Sequence, residues 1–294
     1  MACCMMLSGC GIQRIAVNQL GDALAGGTGT VYSGDDSPEL IRAATPFSLK
    51  LMESLLAENP GHRKLLLATS RGFTQYAYAF VKQDADEIED EDIDRALEIR
   101  ADAKRLLLRA RDYGLRAIDV DHRGFSEQLR ESPKKAVSAI GKMDIDKLYW
   151  TGAAWGAAIS ISKDDAALIG DLPIVQAIME RVLALDESYD HGAAHGFFIS
   201  YEMAKPGDPA EAAKKARRHF ARAVELSGGL DTSPYVSLAE AVSIPEQNRK
   251  EFETLLGKAL EIDPDARPEL RLSNAVFQRR ARWLLSRKDR IFLE

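Results

Sequence analysis

The feature that most restricts the fold is a duplication. Thr151–Ser160 reads TGAAWGAAIS, and forty residues later His191–Ser200 reads HGAAHGFFIS, with six of ten positions identical. Glycine inside a helix costs roughly 1 kcal/mol relative to alanine. Small residues at Gly152, Ala153, Gly156 and Ala157, used again in the second copy, therefore mark places where a neighbouring helix comes close. The surrounding apolar pattern has a helical period. Phe73, Tyr76, Ala77, Phe80 and Val81 fall at i, i+3, i+4, i+7 and i+8, and Ile174, Val175, Ile178, Met179, Val182 and Leu183 do the same. Strand-like alternation over comparable lengths is absent, so the chain is predicted to be all-α.

A second recurring element closes helices. It occurs as Ala117–Asp121, Val182–Asp186, Ala223–Ser227 and Ala259–Asp263, the last followed by Pro264, with Leu55–Asn59 before Pro60 a weaker copy. The last two spacings are 41 and 36 residues. Tetratricopeptide repeats have a period of about 34 residues, small residues in the first helix and a proline after the second. The expected architecture is thus a solenoid of tetratricopeptide-like helical hairpins with insertions. One hairpin cannot bury its apolar face alone, so neighbours stack into a continuous core and leave a concave surface suited to docking other proteins.

The N-terminus predicts where the chain works. It begins MACCMMLSGC, and Leu7-Ser8-Gly9-Cys10 matches the lipobox of bacterial lipoproteins, in which the cysteine thiol carries the lipid. Each buried CH2 of such an anchor contributes about 0.8 kcal/mol. Secretory signals place a basic start and an apolar stretch before the cleavage site. Here nine residues precede Cys10 and none is Lys or Arg, so the true start is expected further upstream. The alternative is an accidental apolar N-terminus on a cytoplasmic protein. The expected division is a residual signal over 1–9, a lipidated N-terminus and linker over 10–36, and one helical-repeat domain over 37–294. No later segment has the run of about 20 apolar residues that a membrane span needs. Cys3, Cys4 and Cys10 are the only cysteines, so the body has no disulfide framework, thiolate metal site or cysteine nucleophile. A net charge of -6 argues against nucleic-acid binding.

Charge is segregated. Asp84–Asp94 carries eight acids in eleven positions and reads as an exposed loop or solvated helix start, since acids favour helix N-termini. It lacks the ligand spacing and glycine of a calcium loop. Arg279–Arg290 carries six basic residues around Trp283, Leu284 and Leu285 and reads as a final amphipathic helix capping the solenoid, with lipid head groups the sharper alternative.

Catalytic signals are weak. Gly26-Gly27-Thr28-Gly29-Thr30 has neither the lysine nor the context of a P-loop. His191 and His195 stand four apart, but Gly192 occupies the position where a zincin needs Glu. Ser160, Ser162, Lys163, Asp164 and Asp165 are explained equally well as a helix end followed by an Asp-rich turn. No catalytic residue, metal or cofactor is expected. Tyr149, Trp150, Trp155, Phe197, Phe198 and Tyr201 form a dense aromatic set that either fills the core or lines a cavity.

Three blocks resemble the T component of tripartite ATP-independent periplasmic (TRAP) transporters. They are PFSLKLMESLLAENPGHRKLLLATSRGFTQYAYAFV at 46–81, LYWTGAAWGAAISISKDD at 148–165 and DHGAAHGFFISYE at 190–202. The resemblance implies a periplasmic tetratricopeptide-repeat lipoprotein, anchored to a bacterial membrane, that associates with the substrate-binding P component. It also implies a ring-like homo-oligomer with a pore and a small organic ligand, hydrophobic molecules included. It supplies no catalytic residues. Tyr76, Trp150, Trp155, His195, Phe198 and Tyr201 are the candidates for the wall of the pore or cavity. The competing readings are a general envelope scaffold for protein–protein contacts and, more remotely, an enzyme built on His191 and His195.

Overall fold

The computed structural model describes residues 18–26 and 31–292. Cys10, the residual signal and residues 27–30 of the glycine-rich stretch lie outside the described residues. Among the described residues every regular element is helical and there is no strand. Residues 18–26 form a helical stretch, and Asn18 accepts from the Asn59 amide at 2.7 Å.

The main helices begin with α1 (Pro38–Glu58) and α2 (Arg63–Tyr76). A π-helical turn, Ala77–Val81, continues α2 into α3 (Lys82–Ile88). The 27-residue α4 (Ile93–Asp119) is followed by the short α5 (Phe125–Glu131) and α6 (Pro133–Ser138). Then come α7 (Ile145–Ser160), α8 (Ala166–Gly170), α9 (Leu172–Leu185), α10 (Ala193–Ala204) and α11 (Pro209–Ser227). The chain closes with α12 (Ser233–Leu238), its π-helical extension Ala239–Ser243, α13 (Arg249–Glu261), α14 (Arg271–Ser286) and α15 (Lys288–Ile291).

Local chemistry sets many of these boundaries. Ser37, Asp92, Asp208 and Asn248 each accept a backbone N–H of the first turn that follows them. Pro38 and Pro209 occupy the position where a missing N–H costs nothing. Gly228, at φ 64°, takes the left-handed conformation that ends α11. The four closing elements all stand at helix ends, those of α4, α9, α11 and α13. Asp165 caps α8 and pairs with Lys104 at 2.7 Å, which accounts for the polar cluster after α7.

Each long helix packs on the next, α2 on α4, α4 on α7, α7 on α9, and α10 on α11. The first helices of successive pairs also touch in order: α2 on α7, α7 on α10, α10 on α12, and α12 on α14. The small residues permit this. A Cβ on Gly114 of α4 would stand 2.2 Å from Thr151 Oγ1 and 3.0 Å from Ser70 Oγ, so α2, α4 and α7 cross where only glycine fits. One on Gly152 would stand 2.7 Å from Met179 Sδ, and one on Gly156 2.5 Å from the Phe197 ring. The largest apolar core surrounds Trp155, Ile178 and Met179, and a second surrounds Tyr235, Phe252 and Leu256.

The acidic and basic segments pair with each other, so the acidic run is not simply a solvated face. Arg279 meets Glu87 at 2.8 Å and Glu39 at 3.2 Å. Arg280 meets Glu240 at 2.6 Å and Asp86 at 3.0 Å, and Arg287 and Arg290 both reach Asp90 at 2.6 Å. The guanidinium groups of Arg280 and Arg287 both lie over the Trp283 ring, 4.3 and 4.5 Å from its centre. Beside these ion pairs, Ile41, Phe80 and Val276 form a small apolar cluster where α14 meets α1. The last long helix therefore returns to the first.

Candidate functional site

The first helices of the pairs, with α1, surround a cavity of about 430 Å³. The duplicated helices present equivalent faces to it. Ala153, Gly156, Ala157 and Ser160 of α7 line the cavity, and so do their counterparts Ala193, Gly196, Phe197 and Ser200 of α10. This is the i, i+3, i+4, i+7 stripe of one helix face. On α2 the stripe runs through Ala68, Arg71, Gly72 and Gln75. The π-helical turn then widens it, bringing Tyr76, Tyr78, Ala79 and Phe80 all to the wall. Such turns recur at functional sites because they re-aim side chains within a continuous helix.

Three of the six aromatic candidates, Tyr76, Trp150 and Tyr201, line this cavity. Trp155, His195 and Phe198 are buried away from it. Trp155 is wholly buried; its indole N–H donates to Asp171 at 3.1 Å and Arg111 covers its ring at 5.0 Å. The reason is angular. At 3.6 residues per turn, Trp155 stands roughly 140° around the helix from Trp150, so the two cannot share a face. Phe198 lies in the core with its ring stacked on His219 at 5.0 Å. His195 lies within hydrogen-bonding distance of His219, Nδ1 to Nδ1 at 2.8 Å, and of Glu187, its Nε2 standing 3.1 Å from the carboxylate. With Nε2–H of His195 donating to Glu187, its Nδ1 accepts from Nδ1–H of His219. Burial lowers both pKa values, His219 to about 4. His191 is held elsewhere, accepting from Arg267 at 3.2 Å through Nδ1. Among the described residues no group of three His, Cys, Asp or Glu side chains is placed to hold a metal.

The wall also carries polar groups that the aromatic pattern did not signal. Arg71 lies 5.3 Å from the centre of the Trp150 ring. Tyr149 packs edge-on against Trp150 at 5.2 Å, and burial drives its phenol pKa well above the ordinary value. Burial also raises that of Tyr78, and takes Tyr201 up to about 12. Asp190 and Asp231 both face the cavity, and desolvation raises both carboxyl pKa values. Asp231 accepts from Ser233 N at 2.8 Å and Ser233 Oγ at 3.0 Å. Asp190 sits in an uncommon backbone: Asp190, His191 and Gly192 have φ of 44°, 58° and 88°, three left-handed residues in succession. The signal that could have found the wall was the duplication itself, since Asp190 occupies the place of Trp150 in the second copy.

The described helices contain none long and apolar enough to cross a membrane. The chain is 28% identical to an uncharacterized protein of Treponema pallidum (strain Nichols), in an alignment that spans 100% of this chain and 96% of that one. The TRAP transporter T-component family matches residues 34–292, nearly the whole described helical body. The chain belongs to the TRAP transporter T-component family.

Proposed function

We propose that this protein is a periplasmic, lipid-anchored accessory subunit that docks the substrate-binding P component of a TRAP transporter and passes a small organic ligand through its central cavity. The observation that carries the reading is the cavity itself. A core built only for stability closes around its side chains at near-crystalline density. Here Ala153, Ala157 and Ser160 of one duplicated helix and Ala193, Gly196 and Ser200 of the other border open space at equivalent positions. A volume of about 430 Å³ lies in the range of small-molecule sites. The ordered stacking of first helices supports a tetratricopeptide-like solenoid, which α14 closes by returning to α1.

A docking or self-association surface is supported by α1, where Leu40 and Phe47, seven residues apart on one stripe, are 60% and 74% exposed. Residues of this size left in water at helical spacing favour burial against another protein. The lipid anchor is assigned to Cys10. On this reading the protein acts by docking, and none of its residues needs to perform covalent chemistry.

The test is light scattering coupled to size-exclusion chromatography on the Cys10→Ser chain, alone and with the binding protein encoded beside its gene. A stable heteromeric complex is expected. A chain that ignores the binding protein at micromolar concentrations would sink the docking reading and leave a general scaffold in its place. The wild-type chain is expected in the membrane fraction and the Cys10→Ser chain in the soluble one; equal retention of both rules out the anchor.

A further inference from the structure

We infer that the central cavity selects ligands bearing an organic ammonium group, received by Asp190 while the aromatic wall takes the apolar body. This rests on the ligand-carrying reading above and adds the chemistry of the ligand.

The charges on the wall favour a cation. Its charged side chains are three carboxylates, Asp190, Asp231 and Glu269, and one guanidinium, Arg71. Glu269 is engaged with Arg267 and His191, at 3.8 and 3.9 Å, and Asp231 with Ser233. Asp190 has no hydrogen-bond or ion-pair partner among the described residues. Asp190 is exposed to the cavity, so its carboxylate is open to a cationic donor that enters, and a charge-assisted hydrogen bond is the strong kind. The guanidinium of Arg71 lies against Trp150; its charge favours the ionised Asp190 carboxylate, but it neither donates to it nor closes an ion pair there, so the carboxylate can still be reached from the cavity.

Two further observations point to an occupant. The backbone that aims Asp190 is left-handed at two successive non-glycine residues, a conformation that costs energy and that folds retain mainly where a side chain must be held in place for function. Tyr149 and Tyr78 are half-buried on the cavity wall, and their hydroxyls have no hydrogen-bond partner among the described residues. A phenol in such a place offers an ammonium both an acceptor oxygen and a π-face. An anionic ligand would meet three carboxylates and gain one guanidinium.

The experiment uses three probes of matched shape: phenethylamine, 2-phenylethanol and phenylacetate. Each is titrated calorimetrically into the wild-type chain, Asp190→Asn and Gly196→Leu. A charge-assisted hydrogen bond to Asp190 makes the amine bind roughly tenfold to a hundredfold tighter than the alcohol, and phenylacetate weakest. Asp190→Asn brings the amine level with the alcohol. Gly196→Leu abolishes binding of all three, because a Cβ at Gly196 meets nothing within 4 Å and the longer side chain enters the cavity without displacing core. The wild-type series decides the sign of charge even if Asp190→Asn fails to fold. Phenylacetate binding tightest, or all three binding equally with Gly196→Leu still blocking them, overturns the ammonium inference while ligand carriage stands. Absence of binding to the wild type up to millimolar probe, or binding indifferent to Gly196→Leu, overturns both.

Discussion

Replacing Arg280 by alanine tests how the two ends of the chain are held together. Its side chain is 8% exposed, its Nε and Nη2 both donate to Glu240 Oε1 at 3.0 and 2.6 Å, and Nη2 stands 3.0 Å from Asp86. Removing one partner of a buried ion pair costs about 3–5 kcal/mol, because the remaining charge stays desolvated. The two acids differ in what they keep. Asp86 retains Lys82 at 2.6 Å and Arg100 at 3.2 Å, whereas Glu240 has no other ion-pair partner among the described residues. The expected cost for Arg280→Ala is therefore near the lower end, about 3 kcal/mol, including lost packing against Trp283. Arg279→Ala is the internal control. Arg279 is 37% exposed and its partner Glu39 70% exposed, so its removal costs under about 1 kcal/mol. Urea unfolding followed by helical circular dichroism, at low and high salt, measures both. The Arg279 effect shrinks with salt and the Arg280 effect persists, because buried pairs are screened far less. Equal losses for the two variants would refute the idea that a buried pair fastens α14 to the acidic segment.

Other outcomes follow from the same geometry. Trp155→Ala removes a wholly buried side chain and its bond to Asp171, so stability falls by about 3–5 kcal/mol; Trp150→Ala, on the cavity wall, loses distinctly less, and equal losses in chemical denaturation would contradict the placement. Gly114→Ala gains roughly 1 kcal/mol of helix propensity but drives a methyl into Thr151, so its melting temperature drops; a rise would mean that the crossing of α2, α4 and α7 is looser than described. Stability is also pH-dependent through the histidine pair. His219 has a folded pKa of about 4 against 6.5 as its ordinary value, so in that window the unfolded chain binds a proton that the folded one refuses. The contribution is complete above pH 6.5 and declines as pH falls toward 4, and His219→Phe flattens that part of the urea-midpoint profile.

The helices were legible because their causes are local. Periodicity in Phe73–Val81 and Ile174–Leu183 marks amphipathic helices whatever they pack against. The duplication marked close neighbours for α7, where Gly152 and Gly156 meet Met179 and Phe197, whereas the matching Gly196 of α10 meets nothing within 4 Å and opens on the cavity instead. The cavity wall was half legible. Tyr76, Trp150 and Tyr201 are on it, while Trp155, His195 and Phe198 are in packed regions, because aromatic character alone does not distinguish a filled core from an open wall. Angular position does, and counting residues from Trp150 would have separated them.

The helical class, the C-terminal ends of α4, α9, α11 and α13, the segregation of charge and the family blocks can be read from the residues alone. These depend on propensity, capping and period, which act within a few residues. That the acidic run at 84–94 and the basic run at 279–290 hold each other, and that Asp190 lines the cavity with Arg71, Tyr149 and Asp231, follows from the packing of the whole chain. Those relations join residues tens to nearly two hundred positions apart. They depend on which faces remain once every helix has buried its apolar stripe, a condition that belongs to the whole packing and to no single segment.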